Sequence, residues 1–192
     1  MFRNFIYASV LAFFLAGCSF NQLENDGFER EKVSKEFTDD VGYILYLLKT
    51  NDIETLNKFY INPQYGVYTV YMTDFDNVMT FKKEDRIDEI NNIVDNFDIQ
   101  EGIVTFNCSP TNDAYYGWDK DGTFISSNTK PYLSQLMSDK TKYKEDELKR
   151  VEIIEKTSRE VIVTNNIIFY LTKIDGKRYI TLIDYVTTDC SK

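Results

Sequence analysis

The last third of the chain constrains the fold most. Arg150–Lys156, Glu160–Lys173 and Lys177–Thr187 are dense in β-branched and aromatic residues, which suit a packed, pleated surface. Asp175-Gly176 stands between the last two runs, and such a pair is a strong signal for a two-residue hairpin turn. A long antiparallel hairpin is therefore expected at the end of the chain. Leu148, Val151 and Ile154 also fit a helical period, so 144–156 is expected to begin as helix and give way to strand.

Helical patterns precede these strands. Val33, Phe37, Val41, Ile44, Leu45 and Leu48 recur at three- and four-residue steps. Asn51-Asp52 breaks the run and can cap a second short helix carrying Ile53, Leu56 and Tyr60. Asn62-Pro63 marks a turn, and Tyr65–Met72 is apolar on both alternating faces, as in a strand covered on both sides. Residues 84–97 predict another helix, with Ile87, Ile90, Val94 and Phe97 on one stripe, and 103–107 a short strand. Trp118 and Phe124 flank Asp119-Lys120-Asp121-Gly122, which reads as a hairpin turn, and Pro131 can open a short helix through Met137.

No linker or repeat divides residues 33–192. Helices followed by a strand meander predict one α+β domain, its N-terminal helices packed on one face of a curved antiparallel sheet that ends in the long hairpin. This element order resembles the nuclear-transport-factor-like cone, related to cystatin-like folds, over roughly residues 33–188. The resemblance implies a cavity between helix and curved sheet. Enzymes of that family commonly use pocket His and Asp residues, and this chain has no His. The fold serves many functions and assigns none by itself.

The start of the chain predicts its destination. Arg3 precedes a charge-free run from Phe5 to Leu15, too short for a hydrocarbon core that needs about 20 helical residues. It has the form of an export signal. The run closes on Leu15-Ala16-Gly17-Cys18, which resembles the lipobox of bacterial lipoproteins. That resemblance implies cleavage after residue 17, diacylglycerol on the Cys18 sulfur, and a polar tether over 18–32 leading to the domain. Each buried methylene contributes roughly 0.8 kcal/mol, so two or more chains anchor a protein without a spanning segment. Ser19, where retained lipoproteins often carry Asp, favours the outer membrane, facing the periplasm or the surface. The inner membrane's periplasmic face is the alternative.

Charge and residue usage exclude several function classes. The net charge is −9, and loss of Arg3 with the signal takes it to about −10. Without a basic cluster such a chain is a poor partner for nucleic acid or anionic lipid. The absence of histidine rules out Ser-His-Asp and Cys-His catalysis. No cofactor is implied. With Cys18 acylated, Cys108 and Cys190 remain, and an even pair in an oxidising envelope invites a disulfide. Two separate buried thiols are the alternative.

Candidate sites are few. Asp74 and Asp76 offer paired carboxylates without a third ligand nearby, and a solvated loop outweighs a Ca²⁺ site. Asp119-Lys120-Asp121-Gly122 begins like a calcium loop, but its twelfth position is Lys130, so no metal site is expected. Tyr65, Tyr68, Tyr71, Tyr115, Tyr116 and Trp118 suit either a core or a binding surface, and core packing is favoured. Tyr115-Tyr116-Gly117-Trp118 stands apart, since four adjacent residues cannot all face inward. Asp184 shares alternating parity with Ile180, Leu182 and Val186. It is expected to face water, or, if buried, to pair with a cation such as Arg178. The favoured reading is a non-enzymatic lipoprotein domain that binds an envelope protein or small apolar ligand through Tyr115, Tyr116 and Trp118. Its rivals are an enzyme built from carboxylates and tyrosines, and a structural envelope component.

Overall fold

The computed structural model describes residues 30–90, 98–109 and 116–190, and in it the first two helices begin where side chains cap them. The Ser34 hydroxyl accepts from the Phe37 amide at the start of α1 (Lys35–Lys49), and the Asp52 carboxylate accepts from the Thr55 amide at the start of α2 (Ile53–Tyr60). Each cap satisfies a donor that a helix N-terminus leaves open. Phe37, Val41, Ile44, Leu45 and Leu48 are buried along α1, the stripe its period predicts.

The strands and remaining helices follow as β1 (Val67–Met72), β2 (Met79–Glu84), β3 (Ile99–Glu101), β4 (Phe106–Asn107), β5 (Gly117–Trp118), β6 (Thr123–Ser126), α3 (Tyr132–Leu136), α4 (Glu145–Thr157), β7 (Arg159–Val163), β8 (Ile167–Ile174) and β9 (Lys177–Asp184). Gly66 admits β1 to the sheet: its φ is 69°, and a Cβ there would lie 2.5 Å from the Glu84 carbonyl oxygen. Asp175 and Gly176 take φ of 50° and 79° and turn β8 into β9, as their sequence predicts.

Seven strands form one sheet in the order β2-β1-β9-β8-β7-β6-β3, and β4–β5 form a separate ribbon. The fold is α+β with a C-terminal hairpin. The sheet is mixed, because β1 runs parallel to β9 and β3 parallel to β6. Parallel neighbours need a crossover. Everything from β2 to β8 intervenes between β1 and β9, and the β4–β5 ribbon lies between β3 and β6 in sequence.

Two cores flank this sheet. Val161, Val163, Ile167, Phe169 and Leu171 face α1 and α2, while their alternates Ile162, Ile168 and Tyr170 face Leu133, Met137, Val151 and Ile154 of the α3–α4 side. Helices thus cover both faces rather than one, making three layers. Near-continuous apolar runs such as Val161–Val163 are what a doubly covered strand requires. The layer beneath α1 is filled by side chains at most a few per cent exposed, Phe37 and Phe169 the largest. Among the described residues no helix is long and apolar enough to cross a membrane.

Several local expectations are corrected. Residues 144–156 are helix throughout, ending at Thr157: Glu145, Asp146 and Glu147 occupy the first turn, and Asp146–Arg150 and Glu152–Lys156 pair at four-residue spacing. The run 160–173 is two strands, reversed at Asn165 with φ 61°. Residues 84–90 are not helical. β2 ends at Glu84, and the Asn57 side chain bonds both the amide and carbonyl of Ile87, each at 2.7 Å. Val94 and Phe97 lie outside the described residues. Asp119-Lys120-Asp121-Gly122 is no hairpin turn, since β5 pairs with β4 while β6 pairs with β7 and β3. The Asp119 carboxylate instead accepts from the Thr105 amide at 2.8 Å, tying the segment to the ribbon.

Candidate functional site

The Tyr116–Trp118 stretch places exposed aromatic chemistry at one end of the sheet. Gly117 and Trp118 form β5, and Trp118 meets Phe106 of β4 edge-on with ring centroids 5.1 Å apart. Tyr116 stands outside this pair, 64 % exposed and edge-on to Phe106 at 6.2 Å. Tyr115 lies outside the described residues, as does Cys18. A ribbon of two residues on each strand cannot hold itself in water. Here the Cys108–Cys190 disulfide, with Cα atoms 5.3 Å apart, ties the ribbon's end to the C-terminal segment. The Tyr116 hydroxyl reaches the Cys190 sulfur at 3.5 Å.

Between this ribbon and the main sheet lies a cleft of about 260 Å³, lined by Phe106, Trp118, Asn165, Asn166, Ile168 and Tyr185 among others. Aromatic walls with a few amides suit a planar or apolar group that also offers a hydrogen bond. Phe106 and the Asn165–Asn166 turn were missed in the sequence because each looks ordinary alone. The remaining tyrosines divide as expected of a core: Tyr68 is fully buried, and Tyr65 and Tyr71 are partly so.

The cleft also borders Asp184, which is 2 % exposed instead of facing water. Its partners are local. Oδ1 accepts from the Val186 amide at 2.8 Å and the Thr187 amide at 2.9 Å, and Oδ2 accepts from the Thr187 hydroxyl at 2.5 Å. Lys130 Nζ lies 3.9 Å away. Arg178 is elsewhere, pairing with Glu31 and Asp40 at 2.6 Å each. A bulge decides this. Leu171 faces Ile180 while Tyr170 faces Leu182, so Thr181 is an extra residue in β9. The parity of 182 and 184 is therefore inverted relative to 178 and 180.

On the same face as Asp184 sits Glu160, 3 % exposed, accepting from the Tyr170 hydroxyl at 2.9 Å. Burial pushes its carboxyl above the ordinary range, and the nearby Asp184 adds to this, while Lys130 and the Tyr170 hydroxyl oppose it. Tyr132 and Tyr170, packed over the same carboxylates, are held in their neutral forms. A carboxyl raised on folding supports stability fully below its unfolded range and loses that support as pH rises through the folded value. Glu160→Gln keeps an acceptor for Tyr170 and cannot ionise. It is expected to exceed the wild type at neutral pH by on the order of 1 kcal/mol, the scale of one buried polar change. Urea denaturation from pH 4 to 8 checks this, with the gap closing toward the acid end.

Asp74 and Asp76 sit on the turn between β1 and β2, where Asp76 accepts from the Thr73 hydroxyl. Among the described residues no three or more His, Cys, Asp or Glu are grouped to hold a metal. Arg30 and Glu31, placed in the tether by the sequence, are held by the domain. Arg30 donates to the Ser127 carbonyl and Thr129 hydroxyl, and Glu31 pairs with Lys173 and Arg178. No protein-family model, curated protein or solved structure significantly matches this chain.

Proposed function

We propose that the chain is a bacterial lipoprotein, acylated at Cys18, whose domain is a non-enzymatic binding module of the cell envelope. The cleft takes an aromatic or apolar group of a ligand or envelope protein. The observation that carries this reading is the Phe106–Trp118 pair, stapled by a disulfide and open along a 260 Å³ cleft. Such a pair presents large, rigid apolar area at little rotamer cost. The disulfide suits an oxidising compartment, and the Leu15–Cys18 motif with Ser19 favours the outer membrane.

Trp118 is the sole tryptophan, so its emission reports the cleft directly. Titration with phenyl-containing dipeptides, which do not emit in the indole band, is expected to shift that emission saturably. In ligand-observed NMR, Trp118→Ala weakens binding by about tenfold, the 1.4 kcal/mol scale of one interfacial aromatic. An unchanged affinity removes the cleft from the reading. The enzymatic alternative draws on Asp184, which borders the same cleft. Its carboxylate oxygens are committed to Val186 and Thr187, so it could act only if the end of β9 opened.

A further inference from the structure

A second aromatic surface lies at the opposite end of the sheet. Tyr43 and Tyr46 of α1 stack with ring centroids 6.3 Å apart and an interplanar angle of 10°, and they are 44 % and 54 % exposed. Phe59 of α2 is 54 % exposed, with Lys58 Nζ 5.4 Å from its ring. Tyr43 and Phe59 line a groove of about 350 Å³ whose floor is Asp40, Tyr60 and Arg178. The floor is electrically quiet: Arg178 Nη1 meets Asp40 Oδ2 at 2.6 Å, and the Tyr60 hydroxyl donates to Asp40 Oδ1 at 3.0 Å. Tyr43 and Phe59 stand over this paired base, with Lys177 exposed at the groove and Tyr46 stacked beside Tyr43.

The chain itself indicates what covers them. Glu31 bonds the same Arg178 through both carboxylate oxygens, at 2.6 and 2.9 Å, so the segment from Cys18 enters the domain beside this groove. Residues 18–29 span at most about 40 Å when extended. The point of attachment at Arg30 and Glu31 lies at the hairpin end of the sheet, so a drawn-in tether brings this end to the bilayer first. The net charge of −9 offers anionic headgroups little attraction. Aromatic insertion must therefore supply the contact, and Tyr and Phe with an apolar body suit the headgroup boundary.

We infer that Tyr43, Tyr46 and Phe59 seat on the bilayer to which Cys18 is tethered, which orients the domain. This rests on the lipoprotein reading above. β8 runs from Ile167 at the Phe106–Trp118 cleft to Ile174 at the hairpin beside Arg178, a strand length of about 23 Å. Seating on α1 and α2 thus holds the cleft away from the lipid, open to solvent.

The test uses the full chain, purified lipidated and reconstituted in phosphatidylcholine vesicles with brominated acyl chains. Emission from native Trp118 is expected to change little. In Trp118→Phe/Phe59→Trp, and separately in Trp118→Phe/Tyr46→Trp, the introduced tryptophan is expected to be quenched about twofold, as at an interfacial depth of 5–10 Å. Adding Tyr43→Ser abolishes that quenching while co-flotation with vesicles persists. Co-flotation with an unquenched probe in both variants overturns the seating and leaves the anchor standing. A Cys18 without fatty acid by mass spectrometry, with no co-flotation, overturns the anchor and the seating with it.

Discussion

Cys108→Ser/Cys190→Ser is expected to unfold about 10 °C below the wild type in a thermal scan, since about 4 kcal/mol is lost and a domain of this size shifts 2–4 °C per kcal/mol. The sequence separation of 82 residues sets the size of the effect. A cross-link between distant residues removes conformations from the unfolded chain, and the removed entropy grows with the logarithm of the loop. The closed loop here takes in β5, β6, α3, α4 and the three C-terminal strands, with β4 just outside it. The bridge also acts locally. β4 and β5 share two residue pairs, Phe106↔Trp118 and Asn107↔Gly117, so the ribbon leans on the bridge, the Asp119–Thr105 contacts and the packing of Trp118 on the α3–α4 core. Hydrogen exchange in the double variant should therefore accelerate first at residues 105–109 and 116–119, below the melting transition. A midpoint within 2 °C of wild type, with unaltered exchange there, would show that the bridge constrains neither the unfolded chain nor the cleft.

The parts of the fold legible in the sequence were those where one local signal acts alone. The period of Phe37, Val41, Ile44 and Leu48 gave α1, Asp52 gave the start of α2, and Asp175-Gly176 gave the final turn, because caps, stripes and positive φ are local physics. The disulfide followed from parity of the cysteines. Failures came where two signals compete. Val151, Ile153 and Ile154 satisfy both a helix stripe and a β-branched run, and the charge pairs at four-residue spacing decided for helix. Asn165-Asn166 is a turn signal that was masked by the apolar residues on both sides. Parallel pairing of β1 with β9 depends on contacts more than a hundred residues apart, for which no local pattern exists. The candidate site was legible only in part. Tyr116 and Trp118 were singled out because adjacent aromatics cannot all be buried, yet the cleft wall comes from Phe106 and the Asn165–Asn166 turn. Asp184, expected to face water, is buried, and one extra residue, Thr181, puts it on the opposite face from Arg178, the partner named for a buried Asp184.

Asp184→Ala is expected to destabilise the domain by about 4 kcal/mol, because two amides and a hydroxyl lose their acceptor together and each buried orphan costs about 1–3 kcal/mol. The Val186 amide is buried, the Thr187 amide partly so, and a methyl leaves both without the carboxylate oxygen they share. Lys130 offsets little of this, since its side chain is partly exposed and can turn to water. Asp184→Asn separates hydrogen bonding from charge. The amide keeps one carbonyl oxygen for Val186 and Thr187 and loses only the acceptor for the Thr187 hydroxyl, so a cost of about 1 kcal/mol is expected. Urea denaturation of the three proteins at pH 7 ranks them. The order wild type, Asn, Ala, with the larger step at Ala, marks the carboxylate as the cap on the end of β9. Equal losses for Asn and Ala would instead assign its contribution to charge, through Lys130. That outcome would also revive the enzymatic alternative, because a carboxylate held mainly by a half-exposed lysine could be released toward the cleft.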